Sequence, residues 1–154
     1  MPKERQATKS VRESFTCTIR AQITPGDAYA DICDVWRWWT AGFTGSAKTR
    51  GDRWRAQFGQ MYFDFEVVEA VPNQRIVWKV TDCYLDMLDN KEWNGTSIAW
   101  DISSRNGVTT VKMTHQGLTQ DFDCYEICEA GWSFYVGKSL QALLTNGEGL
   151  PDGM

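Results

Sequence analysis

The chain has 154 residues, enough for one domain with a real apolar core and short of the length at which chains usually divide. A formal charge of -4 and an isoelectric point near 5.0 offer no long-range attraction to phosphate, which argues against nucleic acid as a partner. Cys17, Cys33, Cys83, Cys124 and Cys128 form an odd set without CxxC spacing, and no basic leader followed by an apolar run precedes them, so a reducing cytoplasm is expected. No apolar stretch approaches the roughly 18 residues that span a bilayer.

Residues 1–13 are polar and unpatterned and read as a flexible tail, as do residues 148–154, which carry Gly and Pro without hydrophobic periodicity. A single domain is expected over 14–147. It opens with SFTCTIRAQIT, where Phe15, Cys17, Ile19, Ala21 and Ile23 alternate with polar residues as in a half-buried strand. Thr24-Pro25-Gly26-Asp27 punctuates the chain, and AYADICDVWRWW follows with apolar residues near a helical period, which predicts one or two short helices ending before Gly42. On an unbroken helix residue 38 lies about 200° from residue 36. Trp36 and Trp39 are therefore expected to face inward and Trp38 outward.

From Ser46 the pattern changes to short β-branched and aromatic runs: WRAQF, MYFDFEVVEAV, RIVWKVTDCYL, TSIAWDIS and VTTVKMTHQGL. Pro72-Asn73 and Arg105-Asn106-Gly107 suit tight connections between antiparallel neighbours. From Asp121 the spacing of Tyr125, Cys128, Trp132, Val136, Ser139 and Leu143 predicts a long amphipathic helix, capped by Asp121 or Asp123 and ending near Asn146-Gly147. Strand, short helices, antiparallel strands and terminal helix make an α+β domain in which that helix lies across a curved sheet, with room for an internal cleft.

His115, the single histidine, shares a strand face with Val111 and Met113 and is expected as a buried, hydrogen-bonded anchor rather than a proton shuttle. Asp82 shares parity with Ile76, Trp78, Val80 and Tyr84, so a regular strand points it inward, where burial disfavours its charge; a bulge near Cys83 would turn it outside. Cys124 and Cys128 lie one helical turn apart, but a structural zinc site wants four ligands and the other candidates are scattered, so no metal is expected. No Ser-His-Asp order, P-loop or GxGxxG is present; no catalytic residue and no cofactor are assigned. Phe63 with Phe65, Trp78 with Tyr84, Trp100 and Trp132 converge from four segments, and such rings either interdigitate or leave a cleft that an apolar ligand completes.

FTGSAKTRGDRW, PNQRIVWKVTDCYL, EWNGTSIAWDI, KMTHQGL and CYEICEAGWSFYVGKSLQALLTNGEG, in that order, resemble the SRPBCC helix-grip superfamily that includes START and Bet v 1-like domains. Within it the chain is most similar to the type named for the activator of heat-shock protein 90 ATPase, from about Ser14 to Gly149. The most specific parts are Gly95-Thr96 before a strand, Thr114 to Gly117, and Gly131-Trp132 followed by Leu140 and Leu143. The resemblance implies six or seven antiparallel strands gripping the C-terminal helix around a cavity, and no particular reaction, because the superfamily shares no catalytic motif. A binding module for a small, mostly apolar molecule, lipid-like, aromatic or polyketide-like, is then expected. Trp39, Phe63, Phe65, Trp78, Trp100 and Trp132 would be its walls, and His115, Asp82 and Tyr84 its orienting groups. A cyclase- or hydrolase-type enzyme using the same cavity and a chaperone-regulating interaction module stay open, as does a homodimer or another protein partner.

Overall fold

A computed structural model describes residues 13–154; the tail expected over 1–13 lies outside them except for Glu13. The chain runs β1 (Phe15–Ala21), α1 (Pro25–Cys33), a single 3-10 turn (Val35–Arg37), β2 (Phe43–Gly45), β3 (Arg53–Phe58), β4 (Met61–Val71), β5 (Arg75–Tyr84), β6 (Ser97–Arg105) and β7 (Val108–Gln116). The C-terminal helix follows as α2 (Tyr125–Phe134), a π-helical stretch (Tyr135–Leu140) and α3 (Gln141–Asn146). The strands form one antiparallel sheet of seven in the order β1-β7-β6-β5-β4-β3-β2. From β2 to β6 each strand pairs with its successor, whereas α1 and the 3-10 turn carry the chain from β1 at one edge to β2 at the other.

Local chemistry accounts for these boundaries. Thr24 Oγ1 accepts the Asp27 amide at 3.0 Å and Pro25 occupies the first helical position, so α1 starts at its polar punctuation. Asn106 (φ 54°) and Gly107 (φ 79°) both take the left-handed conformation, which matches the twist of the β6–β7 hairpin. The three-residue strand β2, too short to show a period, was not predicted.

The DVWRWW segment departs from expectation. Asp34 (φ -83°, ψ 63°) breaks the helix after Cys33, and the next turn is 3-10, so helical angles counted from Ile32 do not carry through. Trp38, expected outside, is fully buried, with its Nε1 donating to the Ile32 carbonyl at 3.1 Å and its ring edge-on to Trp100. Trp36, expected inside, is 42% exposed and leans on Phe43 of β2. Trp39 is buried as expected.

A second departure lies in β5. Asp64 pairs with Asp82 but Phe65 pairs with Val80, leaving Thr81 as an extra residue. Such a bulge inverts side-chain parity beyond it. Trp78 and Val80 face the core, and after the bulge Cys83 and Leu85 do, while Asp82 and Tyr84 turn away.

The inward positions of the C-terminal helix, Trp132, Tyr135, Val136, Ser139, Leu140, Leu143 and Leu144, repeat every four residues. On a pure α-helix each such step drifts by about 40°. The wider π-helical turn rotates the other way, so the stripe stays on the sheet from end to end. The chain beyond it, expected as a tail, makes hydrogen bonds back to the domain. Ser139 Oγ donates to the Trp38 carbonyl and accepts the Leu150 amide, the Asp152 amide reaches the Trp39 carbonyl, and the Ala41 amide donates to Asp152 Oδ2. These bonds tie residues 150–154 to the indole segment.

Trp38→Ala is expected to lower stability by ~3–5 kcal/mol, as for other buried aromatic deletions, whereas Trp36→Ala should stay within about 1 kcal/mol. Urea midpoints of the two variants check this; equal losses would mean that the break at Asp34 does not set which indole is buried.

Candidate functional site

Where the C-terminal helix passes over β3, β4 and the loop after β5, the packing leaves a cleft of about 300 Å³ that opens to solvent beside Met87, Ile127 and Met154. Its walls are rings (Trp39, Phe58, Phe63, Trp93, Trp132, Tyr135), sulfurs (Met61, Met87, Cys128, Met154), Leu85, Ile127 and the bare backbone of Gly131. The lining holds no carboxylate, amine or imidazole.

Filled core and open cleft coexist. Trp54 stacks on Phe65 (centroids 4.4 Å apart) and meets Trp78 edge-on, and Trp78 in turn meets Trp100. These rings, with Trp38, are buried and do not line the cleft. Nearer the mouth, Trp39 stacks on Phe63 and touches Trp132 at 5.0 Å, while Trp93 stacks on Phe63 at 4.1 Å and on Trp132 at 5.7 Å. Of the residues expected as ligand walls, Trp39, Phe63 and Trp132 border this cleft; Phe65, Trp78 and Trp100 stand behind them in the core.

Asp82 and Tyr84 do not reach the cleft, and the bulge at Thr81 is the reason. Asp82 lies on the outer face, accepting Tyr62 Oη at 2.8 Å and Lys91 Nζ at 3.0 Å. Lys91 first, then Tyr62, hold its carboxyl below the usual range, the opposite of a carboxylate buried in a cavity. Tyr84 donates to Asp89 Oδ1 at 2.7 Å on the same side.

His115 is buried but one layer behind the wall. Its Nδ1 accepts Trp132 Nε1–H at 3.0 Å, and its Nε2 lies 2.8 Å from Thr96 Oγ1. The Thr96 hydroxyl donates to the Trp93 carbonyl at 2.6 Å, so the proton on the imidazole sits on Nε2 and is given to Thr96. Burial pushes the His115 pKa down to about 3. Protonating Nδ1 would set its hydrogen against that of Trp132. The imidazole therefore stays neutral and positions two cleft indoles rather than any ligand.

Trp93 was not anticipated. It sits in the irregular segment between β5 and β6, where no period marks its direction, and Thr96 folds that segment back through its amide and hydroxyl, both donated to the Trp93 carbonyl. The neighbouring Glu92 caps the C-terminal helix, accepting the amides of Asp123 and Cys124 at 2.8 and 3.0 Å. The cap thus comes from 31 residues away rather than from Asp121 or Asp123. Among the described residues no group of three or more His, Cys, Asp or Glu side chains is placed to hold a metal ion, and no helix is long and apolar enough to cross a membrane.

The model of the family described as "Activator of Hsp90 ATPase homolog 1-like protein" matches residues 27–145, most of the sheet and the helix that covers it. The chain belongs to this family. Its fold is the seven-stranded, helix-grip α+β arrangement, and solved structures share it. The Aha1 dimer from Colwellia psychrerythraea matches at 22% identity, over 88% of this chain and 98% of that one, with a TM-score of 0.74. DynU16, from the dynemicin biosynthetic locus, matches at 18% identity over 90% of this chain and 49% of that one, with a TM-score of 0.69. CalU16 from Micromonospora echinospora matches at 14% identity over 80% and 71%, with a TM-score of 0.60. At these identities the likeness is one of fold. No curated protein sequence matches the chain.

The neutral imidazole gives a pH dependence of defined sign. Unfolded, His115 binds a proton near pH 6.5; folded, only near pH 3. Its contribution is complete above about pH 6.5 and is lost as pH falls toward 3, at up to ~1.4 kcal/mol per pH unit. Between about pH 7.5 and about pH 5 the protein should lose roughly 2 kcal/mol by urea titration, most of it absent in His115→Gln. Equal losses in both proteins would place the proton uptake elsewhere.

Proposed function

We propose that the protein is a binding module for one small, mostly apolar molecule held between the sheet and the C-terminal helix. The observation that carries this reading is the cleft itself, about 300 Å³ walled by rings, thioethers and aliphatic groups. That is the lower end of the range for small-molecule pockets. A filled aromatic core would not need the cleft, and exposing its lining to water is unfavourable unless something covers it.

The polar groups favour binding over turnover. His115 spends both ring nitrogens on Trp132 and Thr96, and Asp82 is on the far face of the sheet. No acid–base pair points into the cleft, so its walls can select and shelter a molecule without moving a proton on it. The family gives the grip architecture, and the fold neighbour from a biosynthetic locus makes an aromatic or polyketide-like molecule a reasonable class to test first.

Gly131 offers a clean test. A Cβ built there meets nothing within 4 Å, and the residue is helical, so Gly131→Leu should project into the cleft while stabilising the helix by ~0.5–1 kcal/mol. N-phenylnaphthylamine is expected to bind the folded wild-type protein saturably, near one per chain, and to bind Gly131→Leu at least about tenfold more weakly, ~1.4 kcal/mol. Dye bound equally by the two, or only during unfolding, would count against the cleft as the site.

A further inference from the structure

Within the cleft one atom is a nucleophile of consequence. Cys128 Sγ lies in the wall on α2, and Gly131, three residues on and on the same helical face, puts no side chain over it. Two polar hydrogens are available to that sulfur. Trp93 Nε1–H donates to it at 3.3 Å, and Cys124 Sγ lies 2.7 Å away. With both thiols neutral, Cys128 donates to Cys124; an ionised Cys128 would accept from Trp93 N–H, and from Cys124 S–H once that thiol turned to face it. A thiolate held by two donors beside a helix N-terminus has the setting in which cysteines react, although Glu92, which caps that terminus, acts against the charge.

We propose that Cys128 is a covalent attachment site for apolar α,β-unsaturated carbonyl compounds that enter the cleft. This rests on the cleft being a ligand site and names the ligand's reactive class. The sulfur adds to the β-carbon: the S–C bond forms as the C=C π bond breaks, its electron pair moves to the carbonyl as an enolate, and the proton that leaves Cys128 returns through solvent to the α-carbon. Atoms balance between thiol and enone, with no oxidant or reductant. The soft sulfur suits the soft β-carbon, and the apolar walls suit the rest of the molecule. Tyr135, seven residues on, brings a hydroxyl to the same lining for the carbonyl end; that oxygen accepts the Met154 amide and keeps its own proton to donate.

The other four cysteines are set apart from this role. Cys33 and Cys83 are buried away from the cleft, and burial pushes the Cys33 thiol up to about 12 and Cys83 up as well. Burial also raises Cys17, the one half-exposed cysteine. Cys124 is buried and does not line the cleft, and its bond to Cys128 raises its thiol.

Pentyl vinyl ketone is the probe, with acrylamide as a polar electrophile that the walls would not concentrate. Intact mass and peptide mapping of the folded wild-type protein should show one ketone adduct, on Cys128, formed at least about tenfold faster than on Cys17, a preference that acrylamide lacks and that urea abolishes. Cys128→Ser should lose the fast adduct. A ketone that modifies Cys17 first, a Cys128 left unmodified, or a fast adduct that survives in Cys128→Ser would each overturn the proposal. N-phenylnaphthylamine titration of the same wild-type sample separates the two claims. Dye bound with Cys128 unmodified removes the thiol proposal and leaves the binding reading standing; neither dye nor adduct removes both.

Discussion

Everything near the cleft hangs on one buried imidazole. His115 projects from β7, takes the Trp132 N–H from the C-terminal helix, and gives its own N–H to Thr96, which holds the Trp93 carbonyl. Sheet, helix and loop are thereby fixed to one side chain with no charge, and each polar atom of this relay from Trp132 to the Trp93 carbonyl has a partner. In a low-dielectric interior such a network is rigid when complete and costly when broken, because every member left unpaired remains buried. The two indoles it orients are stacked walls of the cleft, so the shape of the opening follows from hydrogen bonds made one layer behind it.

The opposite end of the helix is fixed by different means. Ser139, fully buried, bonds the carbonyl of Trp38 and the amide of Leu150, so helix, indole segment and C-terminal stretch meet at one hydroxyl. The π-helical turn is what lets that serine and the leucines beyond it face the sheet together with Trp132. Interruptions of this kind are uncommon inside helices and recur near functional sites. Here the turn begins at Tyr135, a residue of the cleft wall.

The strands were legible where side chains alternate and turns carry Asn or Gly. What failed was the assumption of an unbroken period. One extra residue, Thr81, was enough to move Asp82 and Tyr84 from cavity to surface, and one backbone break, at Asp34, exchanged Trp36 for Trp38. Neither leaves a mark in composition, because a bulge or a helix break needs no Gly or Pro when tertiary contacts support it. Trp93 and Glu92 were invisible for another reason: both belong to an irregular segment whose direction comes from long-range bonds, to Cys128 and to the helix N-terminus. The convergence of Phe63, Trp132 and His115 was legible because each sits on a regular element with the expected face inward, whereas Trp39, in the turn after the 3-10 helix, is buried for reasons its spacing from Ile32 does not give.

The sulfur-rich wall has a consequence of its own. Met61, Met87 and Met154 are unbranched and polarisable, and they frame a cleft whose other walls are mostly flat rings. Thioether chains of this kind refit to the outline of whatever they touch, and aromatic faces offer few directional demands. For the apolar part of any molecule held there, selectivity would come from bulk, where a single methylene changes affinity by ~1–3 kcal/mol. A homologous series would therefore be graded by size along a smooth scale, with no member rejected for want of one correctly placed polar atom.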